Sequence, residues 1–210
     1  MSYRYLYFYP KATLALLLIN FAIFVIVNVY PSSIPYLALV PFLFLYEHYY
    51  WQPLTYMFVH RQLFHFLFNM IALWSFGEAV ENIIGGRGLV VLYLYSGLVS
   101  ALFELSLGNF LSNWYWYSVM LGASGSIMGI VALYAILRPR SIVYLWVIPV
   151  PAIALVLLIL ALESFFALTN VLPQIAHLGH LGGLVAGVIP GLYLRRRYGK
   201  RVWRILGYRS

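Results

Sequence analysis

The stretch IPYLALVPFLFLYEHYYW, residues 34–51, decides how many times this chain crosses a membrane. It is apolar enough to suggest a span. Yet Pro31, Pro35, Pro41 and Pro53 interrupt it and its surroundings. A proline inside a helix removes a hydrogen bond and clashes with the preceding turn. The runs between these prolines are shorter than the roughly 20 residues a span needs. The many Tyr and the single Trp suit a membrane–water interface. The segment therefore reads as a long loop lying in the outer interface.

The rest of the chain makes that choice matter. Of 210 residues, 64% are hydrophobic and 9% are charged, and the mean hydropathy is +0.89. Soluble domains carry about 25% charged residues, so most of this chain belongs in lipid. Uniform apolar runs without alternation point to helices rather than a closed barrel, and lipid permits only those two. Six spans are expected at about 12–30, 54–76, 88–107, 120–137, 141–162 and 174–194, forming one all-α membrane domain over 1–210. There is no Cys, which excludes disulfides and thiol catalysis. The first apolar segment lacks a small-residue cleavage site and is expected to remain as a helix.

Charge placement tests the count. With six spans, Arg4, Lys11, Arg87, Arg138, Arg140 and the run RRRYGKRVWR fall on one side, and only Arg61 on the other. Positive residues concentrate on the cytoplasmic side. A seventh span would place Arg4 and Lys11 opposite the others. Both termini are thus expected in the cytoplasm of a cell-membrane protein. Most of the net charge of +8 sits in the tail, residues 195–210. Its expected partner is anionic membrane lipid, not nucleic acid.

Polar groups within spans are costly and mark function. The fourth span opens with GASGSIMG, residues 122–129. A lone Ser there is commonly packing, but Gly122, Gly125 and Gly129 recur on one face and admit close approach of another backbone. The sixth span carries AHLGHLGGLVAG, residues 176–187, with His180, Gly183 and Gly187 on one face. Docking these bare faces brings Ser124 toward His180, and a Ser–His hydrogen bond activates a nucleophile. The second span opens with HRQLFHFLFN, residues 60–69. His65 and Asn69 lie one turn apart and suit either a helix–helix hydrogen bond or a pair of donors to a developing oxyanion. In the six-span reading, His65, Ser124 and His180 lie just beyond the outer ends of spans that run the same way. They reach one depth, within a cavity open to the outside. No acid is expected beside His180: Glu47 and Glu163 fall in outer loops, Glu78 and Glu81 lie near the cytoplasmic end of span two, and Glu104 is late in span three. A Ser–His dyad follows.

GASG around Ser124, HFLFN from His65, and GHLGGLVAG from Gly179 resemble the signature motifs of rhomboid proteases. FGEAVENIIGGRG, residues 76–88, resembles that family's link between spans two and three. The resemblance implies a six-helix rhomboid-like bundle and an intramembrane serine endopeptidase that cleaves transmembrane protein substrates near the outer face. It makes Ser124 the nucleophile and His180 the general base. His177 fails the family's HxxGxxxG pattern, because His180 stands at its third following position. His65 and Asn69 match the oxyanion pair, with the Ser124 backbone N–H as a further donor. Gly122 matches the glycine before the nucleophile, and His60 a supporting histidine near the cavity entrance. Gly179 stands where the family often has Ala.

No cofactor or metal is expected. Pro149 and Pro151 in span five suggest a lateral gate, and a loop around Phe165 and Phe166 suggests a cap. Two rivals remain. One is a metal-dependent enzyme using His60, His65, His177 and His180, with no carboxylate expected near them. The other is a non-catalytic relative that escorts membrane clients.

Overall fold

Helix α1, Lys11–Val29, begins on a carboxylate. A helix start leaves backbone N–H groups unpaired, and no α1 side chain caps them. Glu81 does so from a neighbouring helix: its oxygens accept from the Ala12 N–H (3.0 Å), the Thr13 N–H (2.8 Å) and the Thr13 hydroxyl (2.7 Å). A negative charge at a helix N-terminus is favourable, so this buried glutamate ties α1 to the next long helix. This computed structural model describes residues 10–111, 115–145, 147–169 and 175–205. Arg4, the expected span start at 174 and the last residues of the basic tail lie outside the described residues.

The stretch 34–51 forms no helix of span length. It breaks into α2, Ile34–Leu37, and α3, Pro41–Leu45, followed by α4, Gln52–Thr55. Side chains hold it in shape. The Gln52 amide accepts from the Val40 N–H at 3.1 Å and donates to the Pro35 carbonyl at 2.8 Å. The Thr55 hydroxyl donates to the Leu37 carbonyl at 2.7 Å, and the Trp51 indole to the Tyr36 carbonyl at 2.7 Å. The backbones of Leu39 and Met120 exchange hydrogen bonds at 2.9 Å each way. That bridge anchors the loop beside the start of a later helix.

Helix α5, Leu63–Leu111, holds two arms joined at Gly85 (φ 77°, ψ 164°). This left-handed backbone suits glycine, and it turns the chain where a loop was expected. The second span was expected from residue 54, but residues before Leu63 form short turns instead. Helix α6, Ser124–Leu137, has 14 residues. Its buried faces meet α5 and α8, His177–Ile205. The core gathers Leu73, Leu89, Tyr93, Ile130, Leu133 and Leu184 between these helices.

The fifth expected span differs from the structure at both ends. Residues 141–162 do not form a single helix. Strands β1, Ile142–Leu145, and β2, Ile148–Pro151, pair antiparallel, with Val143 opposite Val150. β-branched and aromatic residues favour this pairing, and Pro149 and Pro151 cannot donate a helical N–H. Helix α7 follows as Ala152–Thr169. The two prolines therefore precede the helix and do not weaken it. Phe165, Phe166 and Glu163 lie within α7, not in a loop. The fold is thus mostly helical, with one small hairpin among the described residues.

A candidate Ser–His active site

The turn before Ser124 is pinned from three sides. Leu39 pairs with Met120, the Tyr56 carbonyl accepts from the Gly122 N–H at 3.1 Å, and the His60 Nε2 accepts from the Ala123 N–H at 3.1 Å. The last bond fixes the His60 tautomer: Nε2 accepts, so the proton sits on Nδ1, which faces the Phe58 carbonyl at 3.3 Å. His60 is fully buried. Burial first, and the neighbouring His65 second, push its pKa down to about 4, so the ring stays neutral. His60 therefore braces the turn before Ser124.

Gly122 has φ +114°, in the region that disfavours side chains. A methyl there would also meet the His65 ring, 2.6 Å from Cε1 and 2.8 Å from Nε2. The missing side chain thus places His65 against the turn before Ser124. Asn69 lies one turn along α5, and its amide donates to the His65 carbonyl at 2.8 Å. One amide hydrogen is spent on the helix itself, which leaves the other for a ligand.

Ser124 begins α6. Its Oγ lies 2.7 Å from His180 Nε2. The glycine faces make this approach. A methyl on Gly183 would overlap the Gly125 carbonyl, and one on Gly187 the Gly129 carbonyl. Small residues let membrane helices touch backbone to backbone, and here they set the distance between α6 and α8. The Gly179 N–H donates to Glu104 at 3.2 Å, so a second, half-buried glutamate caps a helix start.

The expectation that no carboxylate stands beside His180 fails. Glu163 Oε1 lies 2.9 Å from His180 Nδ1, and Oε2 lies 2.6 Å from His177 Nδ1. With the carboxylate ionised, each Nδ1–H donates to it. His180 then carries its proton on Nδ1 and offers a bare Nε2 to the Ser124 hydroxyl. Placing the end of span five at residue 162 hid this contact. The signal was present: the apolar run continues past Glu163 as SFFAL, and a carboxylate inside such a run is a functional candidate. An apolar cavity of about 810 Å³ lined by Leu133, Leu137, Ile189 and Tyr193 lies at the other end of α6 and takes no part in this site.

Helices α1, α5, α7 and residues His177–Arg197 are long and apolar enough to cross a membrane. They define a multi-pass membrane protein with a serine and a histidine in hydrogen-bond contact where its helices meet. The chain belongs to the rhomboid family: the Rhomboid domain model matches residues 47–197. It is similar to Rhomboid protein 1, mitochondrial, of Saccharomyces cerevisiae (31% identical, covering 71% of this chain and 43% of the relative). It is also similar to Rhomboid protease GluP of Bacillus subtilis (32% identical; 72% and 28%). A third relative is Rhomboid protease GlpG of Salmonella paratyphi A (28% identical; 66% and 46%). The chain thus spans less than half the length of each of these relatives.

Proposed function

We propose that this chain is an intramembrane serine endopeptidase that cleaves transmembrane protein substrates near the outer face of the cell membrane. The observation that carries this reading is the 2.7 Å approach of Ser124 Oγ to His180 Nε2. Two of the relatives are named proteases. The whole chain acts as one membrane domain with six spans and both termini in the cytoplasm, and the basic tail meets anionic lipid there. The two arms of α5 supply two of the spans.

The length of α6 supports the depth of the reaction. Its 14 residues rise about 21 Å, against a hydrocarbon core of about 30 Å. With Arg138, which follows the helix, at the inner boundary, Ser124 lies roughly 9 Å below the outer boundary. Water reaches it there through a cavity that opens outward.

The steps follow from the site. His180 Nε2 takes the Ser124 hydroxyl proton as Oγ attacks the scissile carbonyl. The oxyanion receives hydrogen bonds from His65, from the free Asn69 amide hydrogen and from the Ser124 N–H at the start of α6. His180 returns the proton to the leaving amine, and water then hydrolyses the acyl-enzyme by the same route. The reacting pair is Ser124 and His180. Glu163 holds His180 in its tautomer and stabilises the imidazolium without taking the proton.

The test is cleavage of a model transmembrane substrate by Ser124→Ala and His180→Ala. Each variant is expected to lose at least about 1,000-fold in rate, and a fluorophosphonate is expected to label Ser124. Undiminished turnover in either variant overturns the reading.

A further inference from the structure

Proton transfer needs Ser124, His180 and one oxygen of Glu163. It gives no role to His177. Yet His177 is buried, lies one turn from His180 on α8, and shares the same carboxylate. Both Nδ1 atoms face the Glu163 carboxylate, and one ring nitrogen of each histidine and a Glu163 oxygen all lie within 4.8 Å of one another.

We propose that Glu163, His177 and His180 form a zinc-binding site whose occupancy switches off the general base. The proposal rests on the Ser124–His180 reading above. Two imidazoles and one carboxylate are a common protein donor set for Zn²⁺, with a fourth position left to water. Nitrogen donors also select against Mg²⁺ and Ca²⁺, which prefer oxygen. With metal–ligand lengths of about 2.0–2.1 Å, tetrahedral ligands lie roughly 3.3 Å apart. The three ligand atoms, all within 4.8 Å of one another, reach that spacing by small side-chain rotations of His177, His180 and Glu163. The carboxylate already gathers both rings with the nitrogens that would bind the metal turned inward.

The chemistry of inhibition follows from the tautomer. In the metal-free site each Nδ1 carries a hydrogen that Glu163 accepts. Zinc takes the Nδ1 lone pair, so that hydrogen moves through water to Nε2. Each ring stays neutral and no proton is released. His180 Nε2 then carries N–H and donates to the Ser124 hydroxyl. A nitrogen that already holds a proton cannot accept another, so Ser124 is not activated.

The experiment uses the full chain in detergent, stripped of metal. Zn²⁺ binding is measured by calorimetry, with Co²⁺ absorption reporting the donor set. Fluorophosphonate labelling of Ser124 and substrate cleavage report the base. Wild type is expected to bind one Zn²⁺ per chain and to lose labelling and cleavage in parallel, with EDTA restoring both. His177→Ala should weaken Zn²⁺ binding at least tenfold and shift inhibition to matching higher zinc, scaled to its own zinc-free rate. Ser124→Ala should bind Zn²⁺ as wild type does. Glu163→Gln, read by binding alone, repeats the test should His177→Ala fail to fold. Equal Zn²⁺ affinity in wild type and the ligand variant assigns the metal to another group and overturns the proposal. Absence of cleavage and labelling at zero zinc defeats the protease reading instead, while the titration still decides the metal site.

Discussion

Helix α8 is held on two sides in opposite ways. Toward α6 it meets backbone with backbone, through Gly183 on Gly125 and Gly187 on Gly129. Ten of the 14 residues of α6 are buried. Toward α7 the seam is thin: Ala152, Val156 and Ala167 are the buried residues of that helix, and its polar tie to α8 is the Glu163 carboxylate between two imidazoles. Lipid gives apolar helices no hydrophobic reason to associate, so close packing and polar ties do the work. The tight seam fixes the distance from Ser124 to His180. The thin seam fixes the orientation of the His180 ring. On the proposed reading, an element that parts from the bundle to admit a substrate helix is better placed on the thin side.

The largest effect should come from breaking the tight seam. Gly183→Val drives a branched side chain into the Gly125 carbonyl, and backbone on both sides cannot yield as a side chain can. Overpacking costs about 3 kcal/mol or more where relaxation is blocked, which lowers Tm by roughly 10 °C in a chain of this size. Cleavage should fall below detection, because the Ser124–His180 contact depends on the same approach. A thermal melt unchanged from wild type would show that the seam is not the rigid element.

Glu163→Gln probes the thin seam and should leave the fold nearly intact. The Gln amide can present its N–H₂ to Nδ1, which favours the His180 tautomer with hydrogen on Nε2. That ring cannot act as the base. We expect kcat to drop by about 10²–10⁴ with little change in KM, since no substrate contact is lost. Glu163→Asp should recover part of the loss, and the pH profile of kcat should move in both variants. A loss confined to Tm, with kcat and its pH profile unmoved, would reduce Glu163 to a structural tie.

The two seams were not equally legible. Gly122, Gly125 and Gly129 on one helix, and His180, Gly183 and Gly187 on the other, recur three and four apart and encode close approach, whatever the helix ends turn out to be, so the approach of Ser124 to His180 is legible in the pattern. Prolines at 31, 35, 41 and 53 likewise exclude a span from 34–51. Glu163 was hidden because its meaning depends on where a helix stops. An even run of apolar residues from 141 onward carries no internal marker for that. The same evenness concealed the hairpin, whose cues were Ile142 and Val143 in one strand and the two prolines of β2. His60 shows a third case. Its position was legible, but its bond to the Ala123 N–H requires the fold that brings residues 60 and 123 together.

That brace gives the smallest prediction, and it sharpens the rigid side of the comparison. The folded pKa of His60, about 4, lies below its ordinary value near 6.5. The folded state therefore binds this proton less readily than the unfolded chain. The stability it contributes is fully present above pH 6.5 and is lost as pH falls toward 4. The full span is worth about 3 kcal/mol. Protonation also puts a hydrogen on Nε2, where the Ala123 N–H now donates, so the turn before Ser124 should loosen in step. His60→Gln keeps an acceptor at that point and cannot titrate. Its Tm should vary less between pH 7 and pH 4.5 than that of wild type. Parallel Tm–pH curves for the two proteins would mean that the start of α6 does not depend on the charge state of His60.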